Sequence, residues 1–187
     1  MKEEIDALEP VSYPDGKIVV IDTVTDAFIA CRDLSEGGEV LGFDTETRPS
    51  FKKGVSHKVA LMQISKGNTC YLFRLCKIGI PQCLTELLGN KDIRKVGLSL
   101  KDDFHQIRRT RACEFNNFID IQQVVPKFGI KEMSLKKIYA IVFGKKISKS
   151  QQLTNWEAET LDEKQQMYAA IDAWACVELY KELVINN

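Results

Sequence analysis

Histidine is nearly absent from this chain: there are two in 187 residues, His57 and His105. No two of the six cysteines form a Cys-x-x-Cys pair. Structural zinc sites draw on those two side chains, so the shortage argues against one. Several of the cysteines sit in apolar runs and read as reduced core residues of a cytosolic-type protein. No apolar run is long enough to span a membrane. The start, Met1-Lys2-Glu3-Glu4-Ile5-Asp6, is too acidic for a signal peptide. The expected location is the cytoplasm, with the nucleus open for a eukaryotic source. An excess of either charge is missing too. Lys plus Arg and Asp plus Glu both number 26, so net charge gives no hint of a nucleic-acid partner, and any such contact must come from local patches. What is present, 44% hydrophobic and 28% charged residues, fits one globular domain over residues 1–187.

Residues 1–16 read as irregular, punctuated by Pro10, Pro14 and Asp15-Gly16. Lys17 to Ile21 reads as a β-branched strand. Thr25 is placed to cap a helix to about Leu34, with Phe28, Ile29 and Leu34 inward and Gly37-Gly38 closing it. Strands follow at about 39–46, Lys58 to Ser65 and Thr69 to Phe73, the last two joined through the turn Lys66-Gly67-Asn68. Pro81 starts a helix to about Leu88. A strand from Arg94 to Leu100, a helix from Asp103 to about Arg111 and a short strand from Phe118 to Ile121 come next. Ser134 caps Leu135 to Phe143, and Thr160 with Glu163 makes a capping box for a last helix to about Leu183. This order describes an α/β domain, a central mixed sheet flanked by helices.

Three stretches carry carboxylates that packing alone does not demand. In Val40-Leu41-Gly42-Phe43-Asp44-Thr45-Glu46-Thr47, strand alternation puts Asp44 and Glu46 on one face. Like charges there repel, and a divalent cation would turn the repulsion into binding. A polar strand end running into Pro49-Ser50 explains the stretch equally well. In the last helix, Asp172 is the only charged residue between Lys164 and Glu178 in a segment apolar nearly all round. A buried carboxylate needs a compensating partner or must become neutral. Tyr168, four residues earlier, shares its face. Taken singly, Asp172 reads better as a structural hydrogen bonder and Tyr168 as a core aromatic. Asp102 and Asp103 sit where a strand empties into a helix start, a common place for carboxylates.

In order, Asp44-x-Glu46, Asp103 and Tyr168-x-x-x-Asp172 resemble the DEDDy family of 3′-to-5′ exonucleases, in particular its Werner-type and ribonuclease D-type domains. Val59-Ala60-Leu61-Met62-Gln63-Ile64, Lys95-Val96-Gly97, Ser134-Leu135 through Gly144-Lys145, and Asn155-Trp156 extend the likeness over roughly residues 40–180. The resemblance implies an RNase H-like fold, with a central mixed five-stranded sheet whose second strand is antiparallel to the rest. It implies two divalent ions, Mg²⁺ or Mn²⁺, one held by Asp44, Glu46 and Asp172, the other by Asp44 with Asp103 mostly through water. Tyr168 then orients the attacking water or is at most a weak base, since a phenol is a poor proton acceptor at neutral pH. Asp102 is left to helix capping or a supporting role. The implied partner is the 3′ end of DNA or RNA, single-stranded or recessed. Lys145, Lys146, Lys149 and Asn155 are candidate substrate contacts, and Trp156 a candidate platform for a terminal base. A solvated basic loop and a partly buried Trp explain those five as well. The alternative function is a catalytically silent nucleic-acid-binding module on the same fold. A small-phosphate hydrolase is a third reading.

Overall fold

The computed structural model describes residues 2–186. In chain order the elements are α1 (Lys2–Asp6), β1 (Lys17–Ile21), α2 (Val24–Ser35), β2 (Leu41–Thr47), β3 (Val59–Lys66), β4 (Thr69–Phe73), α3 (Leu75–Ile78) and α4 (Gln82–Gly89). Then come β5 (Lys95–Gly97), α5 (Leu100–Thr110), β6 (Phe118–Asp120), α6 (Ile121–Val124), a 3₁₀ turn (Val125–Phe128), α7 (Leu135–Phe143) and α8 (Glu163–Tyr180), which runs into a π turn (Lys181–Ile185). The strands form one sheet in the order β1-β4-β3-β2-β5-β6. Only β3 runs against the others: it is antiparallel to β2 and β4, while β1–β4, β2–β5 and β5–β6 are parallel. The expected antiparallel second strand is therefore present. The sheet has six strands rather than five because Lys17–Ile21 pairs along the outer edge of β4.

The two faces of β2 diverge by simple alternation. Phe43 packs with Met62, Ile64 and Phe73 in a core shared with α2, α4 and α5. Asp44 and Glu46 point to the other face, where α8 lies. α8 approaches the sheet closely because its facing residues Ala169, Ala170 and Ala173 are small and buried. Gly42 completes that fit, since a Cβ there would run into the Ala173 carbonyl and the Ser65 hydroxyl. Close packing here is what carries Asp172 to Asp44.

Several local expectations change. Thr23, not Thr25, caps α2, its hydroxyl accepting from the Asp26 amide at 3.1 Å. The inward face of α2 is Ala27, Ala30, Cys31 and Leu34, while Phe28 and Ile29 are exposed. β5 stops at Gly97 because Ser99 takes a left-handed conformation (φ 60, ψ 40) that turns the chain directly into α5. The capping box of α8 is made by Asp162 and Gln165 rather than by Thr160 and Glu163. Residues 2–6 are helical rather than irregular. Cys31, Cys70 and Cys176 are buried, and all six cysteines are free thiols.

Candidate active site

Asp44 and Glu46 reach the site from β2 and Asp172 from α8, and one oxygen from each lies within 4.8 Å of the others. Among the described residues, no basic side chain is bonded to them. Their own repulsion and burial therefore decide their charge. Burial, then Asp172, Glu46 and Asp103, hold the Asp44 carboxyl well above the usual carboxylate range. Burial, followed by Asp172 and Asp103, pushes Glu46 up to about 9. Burial also raises Asp172, to about 7, against the opposing pull of a hydrogen bond from Tyr168 and the charge of Lys149. Three carboxyls that can hardly ionise together unaided are what a divalent cation relieves, and an all-oxygen donor set suits Mg²⁺ or Mn²⁺ better than zinc. These residues fit such an ion.

Asp103, in the first turn of α5, stands beside this trio and not within it. Its carboxylate accepts the hydroxyl of Thr45, the residue between the two β2 acids. Burial raises its pKa to about 6, with the Thr45 bond opposing. Its charge is felt at both Asp44 and Glu46. Asp102 is exposed and does not cap the helix. That task falls to Asp120 at the end of β6, whose two oxygens accept the amides of Ser99 and Leu100 at 3.0 Å each. Asp120 also accepts the amide of Gln122 at 2.9 Å. Neither Thr45 nor Asp120 stood out in sequence. Thr45 had its position between the two acids as a signal, but Asp120 reaches α5 from another strand and had none.

Tyr168 lies one helical turn before Asp172, and burial with the surrounding carboxylates, Asp172 first, drives its phenol further from deprotonation. Its ring is backed by Trp156, centroids 5.9 Å apart. Trp156 is 0% exposed, packed with Ala60, Leu61, Leu72 and Ala170. It presents no face to a base, so the stacking role expected for it gives way to support of Tyr168. The buried Arg74 fixes this segment by donating to the carbonyls of Ala158 and, at 3.4 Å, Glu159. Asn155 is exposed, and its side chain caps its own turn, accepting the Glu157 amide at 3.1 Å.

The three lysines separate. Lys149 is exposed and lines the same cleft as Asp44, Tyr168 and Asp172. Lys146 is occupied elsewhere: its ammonium donates to the Asp6 carbonyl, and its backbone pairs with Glu9 and Val11 at 2.9 Å. As placed, it is not available to a phosphate. Lys145 is exposed and does not line that cleft.

The 3′-5′ exonuclease family model matches residues 18–185 of this chain. The chain belongs to that family. The mouse bifunctional 3′-5′ exonuclease/ATP-dependent helicase WRN is 32% identical over 187 residues, covering 95% of this chain and 13% of that protein. An Arabidopsis thaliana 3′-5′ exonuclease is 32% identical over 172 residues, covering 89% of this chain and 57% of that one. The chain thus spans less than two thirds of either exonuclease relative. Among solved structures, the Aedes aegypti Nibbler EXO domain superposes with a TM-score of 0.79 at 20% identity, covering 89% of this chain and 86% of that one. Escherichia coli RNase D gives 0.77 at 21% identity, covering 89% and 44%. Trypanosoma brucei RNase D in complex with RNA gives 0.78 at 18%, covering 91% and 63%. These structures share the RNase H-like exonuclease fold with this chain.

Proposed function

We propose that this chain hydrolyses phosphodiester bonds from the 3′ end of DNA or RNA, releasing nucleoside 5′-monophosphates. The observation that carries the proposal is the convergence of Asp44, Glu46 and Asp172 oxygens within 4.8 Å in a member of the exonuclease family. Asp44, Glu46 and Asp172 would hold one divalent ion, Mg²⁺ or Mn²⁺, and Asp44 with Asp103 a second. Such ions, when bound, neutralise the phosphate, activate water as the nucleophile and stabilise the leaving oxygen.

The chain's own residues have narrower tasks. Asp44 and Glu46 are held by the sheet, so their spacing costs no reorganisation during the reaction. Thr45 fixes Asp103 by its hydroxyl. Tyr168 keeps its proton beside Asp172, so it orients water and does not deprotonate it. Lys149 stands at the cleft as the cation for the incoming phosphate. The RNA held by the Trypanosoma relative supports a nucleic-acid strand as the ligand class.

The test uses 5′-labelled single-stranded DNA, RNA and a recessed-3′ duplex, each with Mg²⁺, Mn²⁺ or chelator. A ladder shortening from the 3′ end, dependent on metal and lost in Asp44→Asn, is the expected result. Binding without cleavage under every condition overturns the proposal in favour of a silent binding module.

A further inference from the structure

The cleft at Asp44 and Asp172 has a neighbour. Ile147, Ser148 and Tyr168 line both that cleft and a second recess of about 350 Å³ on the far side of the tyrosine. This volume lies at the small end of the ~300–1,000 Å³ typical of ligand pockets. Its apolar surface comes from Val11, Met167 and Ile171, with the hydroxyls of Ser148 and Ser150 beside it. Met167 is 43% exposed, a large apolar side chain left open on the first turns of α8.

One wall has an unusual origin. Val11 belongs to an N-terminal strap that lies before residue 18, where the family match begins. The strap is tied to the loop after α7 by a bridge between Pro10 and Lys146. Lys136 and Asp6 add an ion pair at 2.8 Å. Tyr13 anchors its other end, donating to the Asn68 carbonyl at 3.0 Å and meeting Trp174 edge-on. The strap therefore both walls the recess and holds the loop that carries Lys149.

We propose that this recess is a nucleobase subsite, receiving a base of the bound strand next to the nucleotide whose phosphate sits at the carboxylates. The proposal rests on the exonuclease reading and deepens it. A nucleoside unit extends sideways from its phosphate, and the recess adjoins the site, sharing Ile147, Ser148 and Tyr168 as walls. Apolar walls suit the faces of any base, and the paired hydroxyls suit its edge. The open face of Met167 is covered when the strand is bound.

The test crosses base deletion with side-chain deletion. Binding of a 5′-fluorescein decathymidylate is measured by anisotropy in Ca²⁺, alongside four versions with an abasic site at one of the last four positions. Wild type is compared with Met167→Ala and Val11→Ala, with melting temperatures as the control on folding. For wild type, one abasic position should weaken binding at least about 5-fold, the lower end of what stacking one base contributes. In both variants that penalty should shrink, while the other positions behave as in wild type. Equal penalties in wild type and variants at every position overturn the subsite. Coupling without any cleavage of these oligomers in Mg²⁺ or Mn²⁺ keeps the subsite and removes the exonuclease reading. Cleavage without coupling does the reverse. Failure of wild type to bind any oligomer overturns the subsite as well.

Discussion

Asp44 stands within β2 and Asp120 at the end of β6 of the same sheet, and their surroundings differ completely. Asp120 accepts three backbone amides, from Ser99, Leu100 and Gln122, and joins β6 to the starts of α5 and α6. Asp44 faces Glu46, Asp172 and Asp103, and every one of them works against its charge. A carboxylate with its lone pairs filled by amides is a structural joint. One surrounded by its own kind carries a repulsion that costs stability and that a cation would relieve. Charge content alone does not distinguish them; partners do.

The largest expected effect breaks the Asp44 side. Asp44→Asn should lower exonuclease activity by at least about 10²–10³-fold, the scale of losing one electrostatic contact in a reaction site. The same variant should melt at a higher temperature than wild type in chelator, because it removes repulsion. Lower melting in chelator would show that Asp44 is structural after all. Next in size, Asp120→Ala should cost about 1–3 kcal/mol by leaving amides at two helix starts unpaired. That corresponds to roughly 2–12 °C in melting temperature for a chain of this length. Activity per folded molecule should change far less than in Asp44→Asn.

The third prediction uses pH. Glu46 and Asp172 titrate near 9 and 7 in the folded chain, above the ~4 of an unfolded carboxylate. The folded state then holds more protons than the unfolded one across that interval, so metal-free stability should fall as pH rises from about 5 to 9. Millimolar Mn²⁺ should flatten the curve and raise the melting temperature at pH 8. Parallel curves with and without Mn²⁺, followed by calorimetry, would break the idea of an unrelieved carboxylate cluster. The smallest effect is that of Tyr168→Phe. Losing an orienting hydroxyl should lower kcat by about tenfold, against the ~10²–10⁴ attributed to a general base. The slope of kcat with pH should stay as in wild type.

The legibility of the site followed the range of the interaction that places each residue. Asp44 and Glu46 could be put on one face because strand alternation is local. Asp172 and Tyr168 stood out because a lone charge in an apolar helix is conspicuous. The sequence left Trp156 between a base platform and a partly buried residue because its burial depends on α8 and β4, not on its polar neighbours. Lys146 looked like its neighbour Lys149, yet the strap from residues 6–11 claims it. Asp102, in the first turn of α5, was expected in helix capping or a supporting role, but the cap arrives from β6 as Asp120.

By itself the sequence determined the alternation of β2, the buried character of α8, the order of the acids and the family they belong to. The first two rest on periodicity and on contacts within a few residues; the family rests on the resemblance of the ordered motif. Only the tertiary structure decided that three carboxylate oxygens converge, that Trp156 backs Tyr168, and that an N-terminal strap completes a recess beside the site. Each depends on how closely distant segments approach, as Gly42 beneath the Ala173 carbonyl shows, and that distance is set by packing across the sheet.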